Sequence, residues 1–386
     1  MATRRDGLRR RREALGFTQE TLAERMEVER STVSRWERGV EKPLPVAQSA
    51  LADVLEVSAE QMENLLAEAA PPARSDRVSD ALRIPHRLDA VTVADLRERV
   101  QKVDERYDSE PSTNLLAETG LILGQIAFFG SHVADGRVRC QLRDVEAETM
   151  TLMGQLVWDA SQRRDHDNAR GYFDGAITAA HDVGNTVTEG HALLRKGYIA
   201  LYGERDPKAG LALTEQTVEL TERSSHVVTG LALLHCAEAH AMLEDRRACE
   251  LSISQAESHL EKVDPHDPAG FMLSPSQFDR ITGSCHLFLG DNRRAQQILE
   301  RRAGGIQPRQ KSGAIVLGNL SLARLRQGEL DGATTALHEA ISVLEQTRGG
   351  GGMNVVFDAA RELGPWRAEK DVGDVYDRLL SLMTAA

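Results

Sequence analysis

The sequence predicts an all-α protein built from two domains. Aromatic residues make up only 4% of the 386 residues, which favours helices packed through alanine and leucine over a β-sandwich. From Val91 onward the apolar spacing is helical throughout. Five alanines recur there in one setting. Ala169, Ala209, Ala248, Ala295 and Ala333 each sit early in a helix behind a polar turn, at steps of 40, 39, 47 and 38 residues. Such a period is the mark of stacked helix pairs.

The N-terminal elements come first. The stretch Phe17 to Pro43, FTQETLAERMEVERSTVSRWERGVEKP, predicts two short helices joined by a tight turn. Leu22, Ala23 and Met26 share one helical face, Val28 fills the turn, and Val33 and Trp36 form a second apolar pair at i, i+3. Arg30, Ser31, Thr32 and Arg35 point away from that pair. An apolar back with a basic, hydroxyl-bearing front suits a helix that enters a major groove. Further helices are expected over Leu44 to Leu55 and Ser58 to Leu66, the latter opened by a Ser58/Gln61 capping box.

This segment, from about Arg4 to Leu66, resembles the Xre/Cro-type helix-turn-helix family. The matching residues are Thr18-Gln19, Leu22-Ala23, Arg30-Ser31-Thr32-Val33-Ser34 and Trp36-Glu37-Arg38-Gly39. The resemblance implies a five-helix lambda-repressor-like DNA-binding domain. It puts Gln19 at a phosphate and Arg30, Ser31 and Arg35 at base edges. Thr32 falls near the backbone or a base edge, and Arg38 and Lys42 suit phosphates. Arg12 matches the arginine that pairs with the glutamate of the WERG run, here Glu37. One position departs from the pattern. Glu29 stands where a small polar N-cap is usual; its carboxylate would either accept from a cytosine amine or repel a phosphate. The ordinary alternative for Arg30 and Arg35 is a solvated surface charge.

Charge supports the division. The chain carries a net −12, but residues 1 to 45 hold 11 Arg and Lys against 8 Asp and Glu, a net of +3, leaving −12 − 3 = −15 for the remainder. A basic head on an acidic body is expected when one domain meets DNA and the other must avoid it. The same acidity argues against whole-chain binding to RNA or an anionic membrane. No apolar run approaches the roughly 18 residues that cross a bilayer, and the basic start MATRRDGLRRRREALG has no apolar signal core. A cytoplasmic protein is expected. Cys140, Cys236, Cys249 and Cys285 form no CxxC pair and are expected to be small buried residues. His235 and His240, five apart, do not share a metal-binding face. No catalytic, metal or cofactor motif is present.

Ala69 to Asp89 contains Pro71, Pro72 and Pro85 with mixed charges and is expected to be a linker, extended to about Ser79. The predicted divisions are therefore 4–68, 69–90 and 91–386.

In the body, a small or medium residue lies twelve before each recurrent alanine: Val157, Gly197, Cys236, Gly283 and Ser321. Two such positions let paired helices approach closely. The turns RRDHDN, GERDPK, LEDRR, LGDNRR and RQGELDG are alike. The body resembles the tetratricopeptide repeat, with its cleanest copy at Ile315 to Leu344. Leu317, Asn319, Leu320, Ser321, Gly328, Ala333, Leu337 and Ala340 carry the match there. The copy from Met153 to Ala176 carries it through Leu156, Ala160, Ala169, Phe173 and Ala176. Other copies are degenerate. Val91 to Asp135 and Asn354 to Met383 suit capping pairs, and Gly349 to Gly352 is expected to be a flexible break.

The resemblance implies a TPR-like α-solenoid with a concave wall lined by first helices. Inward-facing positions are expected to include His191, Tyr198, Tyr202, His240, Gln277, Arg280, Asn319 and Arg326. Rings would cover apolar groups while amide and guanidinium groups satisfy carbonyls or a terminal carboxylate. Tyr198 and Tyr202 equally fit plain packing between repeats, and Asn319 matches the repeat pattern regardless of ligand. The domain order is similar to that of the peptide-responsive regulators of Gram-positive bacteria. It implies a homodimer on double-stranded DNA, an inverted-repeat operator, with a peptide or small molecule sensed by the repeats. A DNA-binding adaptor whose repeats hold a partner protein is the rival reading.

Overall fold

The computed structural model describes residues 6–38, 41–66, 74–274, 277–304 and 310–384. These residues contain helices and no strand. Arg4, Gly39, Pro71 and Pro72, which figured in the sequence reading, lie outside them. Internal contacts divide the chain into two units, between Arg83 and Ile84.

The first unit holds α1 (Asp6–Ala14), α2 (Gln19–Arg25), α3 (Arg30–Glu37), α4 (Pro45–Val54), α5 (Ala59–Leu66) and α6 (Arg74–Arg83). Leu8, Leu22, Ala23, Val33, Trp36, Leu51, Leu55, Met62 and Leu66 form its core. Burying such side chains contributes roughly 1.5–3 kcal/mol each, which holds helices of seven to ten residues that would be marginal alone. Local chemistry sets the ends. Thr18 and Thr21 make a reciprocal cap on α2. Ser58 and Gln61 do the same for α5, at 3.0 and 3.2 Å. Glu29 precedes α3 without a side-chain cap, as its length predicts.

Helix α6 corrects one expectation. Residues 74–83 are helical rather than extended, because Val78 and Ala81, three apart, are both buried.

The second unit is an array of antiparallel helix pairs. Its helices are α7 (Ala90–Arg106), α8 (Ser112–Gly130), α9 (Gly136–Ala160), α10 (His166–Val183), α11 (Thr186–Tyr198), α12 (Pro207–Thr221), α13 (His226–Met242) and α14 (Arg246–Leu260). There follow α15 (Gln277–Phe288), α16 (Asn292–Ala303), α17 (Lys311–Leu325), α18 (Leu330–Thr347), α19 (Gly350–Glu362) and α20 (Lys370–Thr384). A π-helical turn, Ile199–Glu204, extends α11.

Three of the similar turns share a cap, absent at Asp291 and Glu329. Asp165, Asp206 and Asp245 each cap the following helix, accepting from Asn168, Ala209 and Ala248 backbone N–H groups at 3.0–3.2 Å. A left-handed residue stands just before: Arg163, Arg205, Glu244, and in the later turns Gly290 and Gly328. Only glycine adopts that conformation without steric cost.

Close approach between paired helices follows the expected device, with shifts in register. Ser321 donates to the Ala333 carbonyl at 2.8 Å. Ala169, Ala295 and Ala333 are fully buried, but Ala209 and Ala248 are half-buried and the neighbouring Gly210 and Cys249 take the tight positions. In the first pair Gly154, not Val157, faces Ala169: a Cβ there would lie 3.1 Å from the Ala169 carbonyl oxygen.

Gly349 to Gly352 is not a flexible break. Gly350, Gly351 and Gly352 open α19 and are buried. A Cβ on Gly350 would meet the Asp159 carbonyl oxygen at 2.9 Å, and one on Gly352 would meet the Ala314 Cβ at 2.6 Å. The glycines let α19 press on the end of α9 and on α17. The array therefore curves far enough for late helices to touch early ones. Lys311 of α17 lies 3.0 Å from Asp159 of α9 and 2.8 Å from Ser112 of α8. No helix of the described residues is long and apolar enough to cross a membrane.

Candidate functional site

The first candidate surface is α3 with its flanks. Val33 and Trp36 are buried beneath it, which fixes the rotation of the helix. Arg12 locks the far end: its Nε donates to Glu37 at 2.6 Å, and both side chains are buried. The Arg12–Glu37 pairing expected from the sequence is thus present. Gln19 differs from expectation, because its amide donates to the other Glu37 oxygen at 2.7 Å instead of pointing outward. The acid at the end of α3 holds two residues, and that drew Gln19 in.

With the back of α3 fixed, Glu29, Arg30, Ser31, Arg35 and Arg38 are exposed, as is Lys42, and Thr32 is half-buried. Each exposed arginine is lightly restrained. Arg30 meets Glu20 at 2.8 Å. Arg35 meets Glu41 at 3.4 Å and the Thr32 hydroxyl at 3.4 Å. Arg38 reaches the Ser34 carbonyl at 3.3 Å. Ser31 donates to Glu29 at 3.0 Å. Exposed pairs of this kind are worth about 0–1 kcal/mol, so a phosphate or a base edge competes with them readily. The acidic partners Glu20 and Glu41 were not anticipated, and Glu29, singled out for its charge, accepts from Ser31.

The second candidate surface lies within the array, where first helices face one another. Tyr198 of α11 and Tyr202 of the π-helical turn lie with ring centroids 5.7 Å apart, and Tyr198 packs on His235 of α13 at 4.3 Å. The Tyr202 hydroxyl lies 2.6 Å from His235 Nδ1 and donates to Glu238. Ser284 of α15 donates to the second Glu238 oxygen at 2.6 Å. Burial opposes ionisation of Glu238, yet the hydrogen bonds from His235, Ser284 and Tyr202 hold it below the usual carboxylate range. His235, with burial its main influence, is pushed down.

Arg195 of α11 donates from Nε to His191 at 3.1 Å and lies over the Tyr198 ring at 5.4 Å. Burial, reinforced by the Arg195 charge, pushes His191 down to about 3. His191 lines a cavity of about 310 Å³ with Phe271, Met272, Leu152, Val187 and Asp104. Burial raises Asp104. On another side, Tyr202 borders a wider groove of about 740 Å³ with Arg205, Phe357 and Tyr376.

The expected inner-wall residues thus separate. His191, Tyr198 and Tyr202 come together, while Arg280 is half-buried in the first turn of α15. Arg326 does not, because it is exposed at the end of α17 and paired with Glu362 at 2.6 Å. His240 is half-buried in the last turn of α13, Gln277 begins α15, and Asn319 is buried within α17. Trp158, Arg163, Arg195, His235 and Glu238 were missed as site residues. His235 entered the sequence analysis only as a metal ligand that its spacing excludes. Cys236, Cys249 and Cys285 are buried as expected, but Cys140 is exposed. No group of three or more metal-ligating side chains occurs among the described residues.

Comparison with known proteins bears on the first surface. Residues 6–65 match the model of a helix-turn-helix domain family. No curated protein matches the chain. Among solved structures, the chain is similar to Bacillus thuringiensis PlcR, crystallised in complex with the peptide PapR7 and DNA. The likeness covers 85% of this chain and 98% of that one, at 11% identity and a TM-score of 0.33. The chain thus carries a helix-turn-helix domain at its N-terminus, followed by a helical array.

Proposed function

We propose that the protein is a sequence-specific DNA-binding transcription regulator whose helical array senses a peptide or small ligand. The observation that carries this reading is α3. Its apolar side is sealed by Val33 and Trp36, its end is locked by Arg12 and Glu37, and Arg30, Ser31 and Arg35 are exposed on its front. That arrangement, within a matched helix-turn-helix domain, suits base edges in a major groove. Arg30 and Arg35 would read bases; Arg38 and Lys42 would meet phosphates.

One such helix makes few base contacts. Two copies on half-sites about 34 Å apart would supply useful affinity, so the protein acts as a homodimer on an inverted repeat. The enclosed inner face of the array is where a signal would bind. A coupling of about 1–3 kcal/mol between the two sites would change operator occupancy roughly 5–150-fold.

Mapping the genomic fragments bound by the full chain tests the reading. The expected result is a shared inverted-repeat sequence whose retention drops in Arg30→Ala. Retention of all duplexes alike, with Arg30→Ala unchanged, overturns it.

A further inference from the structure

Several guanidinium groups of the array meet a carboxylate. Arg97 pairs with Asp144 and Glu148, Arg143 with Glu146 and Asp182, and Arg378 with Glu345. Arg163, Arg195 and Arg280 are half-buried, yet none has a carboxylate within ion-pair distance among the described residues. Placing a guanidinium out of water without a counter-charge is costly, so a group of them calls for another explanation.

Their surroundings supply one. The Arg163 guanidinium lies 4.5 Å from the centre of the Trp158 ring and 5.7 Å from that of Tyr202. Its position is built by the backbone: Gln162 and Arg163 both hold left-handed φ values, 54° and 60°, and the Arg163 N–H returns to the Trp158 carbonyl at 2.7 Å. The left-handed turn recurs at Arg205 and Glu244; here it brings the guanidinium back over the indole. Across from it, Gly351 leaves the space that a side chain would deny to the guanidinium. Two donors here lack any acceptor. Arg163 Nε and Trp158 Nε1 are shielded from solvent and unpaired, in a tryptophan only 4% exposed. An unpaired buried donor costs about 1–3 kcal/mol, and both costs fall at one spot.

The rest of the cluster is continuous with that spot. Tyr202 stacks toward Tyr198, and Arg195 covers the Tyr198 ring. The Arg163 guanidinium closes the other end, beside the Tyr202 ring. Two acids face the group. Glu238 is occupied by Tyr202, Ser284 and His235. Asp104 is driven toward its neutral form by burial. The cluster keeps an excess of positive charge with flat aromatic walls beside it. Through Arg195 and His191 it adjoins the largely apolar cavity of about 310 Å³.

We propose that Arg163 and the Trp158 indole N–H bind the carboxylate of a ligand whose apolar body runs along Tyr202 and Tyr198 toward the cavity lined by His191 and Phe271. Planar guanidinium groups match a carboxylate in a bidentate fashion. A cavity of this size holds one small acid or one terminal residue, not a whole peptide. The inference rests on the sensor role proposed above and names its ligand class.

Trp158 is the natural reporter. The full chain is titrated with N-acetylphenylalanine, its amide, 3-phenylpropionate and inorganic phosphate, following tryptophan emission and thermal melting. N-acetylphenylalanine is expected to quench emission and raise the melting temperature, and its amide to do neither. Binding of 3-phenylpropionate as well would identify a free small acid as the ligand source; binding of the acetylated amino acid alone would identify a peptide terminus. Arg163→Gln, checked for native melting without ligand, is expected to weaken binding by about tenfold. Equal binding of acid and amide, displacement by phosphate, no response to either acid, or wild-type affinity in a folded Arg163→Gln variant would overturn the site. Operator retention is measured in parallel. Acid binding that leaves retention unchanged keeps this site and defeats the coupling; lost operator specificity with acid binding intact defeats only the regulatory reading.

Discussion

The Lys311 ammonium lies 3.0 Å from the Asp159 carboxylate, with both side chains buried. Ser112 bonds to both, and the Gly350 N–H donates to the other Asp159 oxygen at 2.7 Å. One carboxylate thus ties the starts of α8, α17 and α19 to the end of α9. Burial pulls the Lys311 ammonium below its usual range, and Asp159 works against that pull. Removing one partner leaves a buried charge without compensation. Lys311→Met is expected to destabilise the array by about 3–5 kcal/mol. The double variant Lys311→Met with Asp159→Leu should lose less than the sum of the single losses. Urea unfolding of the four proteins measures this; strict additivity would show that the pair does not act as a unit.

Much of this architecture could be read from residue order. The helix-turn-helix core follows from spacing over short distances, where i, i+3 rules hold, whereas the Arg12–Glu37 lock was implied only by the family resemblance. The repeat turns were visible because Asp165, Asp206 and Asp245 cap helices locally. What failed were contacts between distant segments. Nothing in the run of glycines at 349–352 announces that Asp159 lies against it. Arg163 looks like one charge of a polar turn until the left-handed backbone turns it onto Trp158. Val78 and Ala81 are a weak apolar face beside two prolines, and composition hid them.

The Arg12–Glu37 pair should behave like the Lys311 pair, within the head. Glu37 accepts from Arg12 at 2.6 Å and from Gln19 at 2.7 Å. Glu37→Ala removes the acceptor of both while the Arg12 charge remains buried. Loss of about 3–5 kcal/mol from the first unit is expected, with operator binding lost as the head unfolds. Amide exchange of the full chain is the measurement. Protection should fall in α1 to α3 and persist in α7 to α19; unchanged exchange in α3 would show the pair to be dispensable.

Arg30 and Arg38 differ in what they should do on DNA. Arg30→Ala is expected to cost about 1–3 kcal/mol and relax one base preference, while Arg38→Ala weakens all sequences alike and lowers the salt slope by about one. Glu20 competes for Arg30 at 2.8 Å in an exposed pair. Glu20→Gln should therefore tighten DNA binding, by up to about 1 kcal/mol. Titrations against operator and scrambled duplex at several salt concentrations separate these effects. Weaker binding by Glu20→Gln would show that the carboxylate orients Arg30 instead of competing with DNA for it.

Acid should loosen the array, and His191 sets the sign. Folded His191 is held down to about 3, by burial first and then by Arg195. In an unfolded chain a histidine titrates near 6.5. Between those values the unfolded state binds a proton that the folded state refuses, so stability falls as pH drops through this window. His235, His259 and His286 are also pushed down and add to the same slope. Asp104 and Glu148, raised by burial, act in the opposite direction toward the acid end of the window. The histidines should therefore dominate just below pH 6.5. His191→Gln retains an acceptor for Arg195 and removes the titration. Its unfolding free energy should fall less steeply with acid, by about one proton per molecule. A slope equal to the wild type's would mean that His191 is already solvated, and that the cavity it lines is open to water.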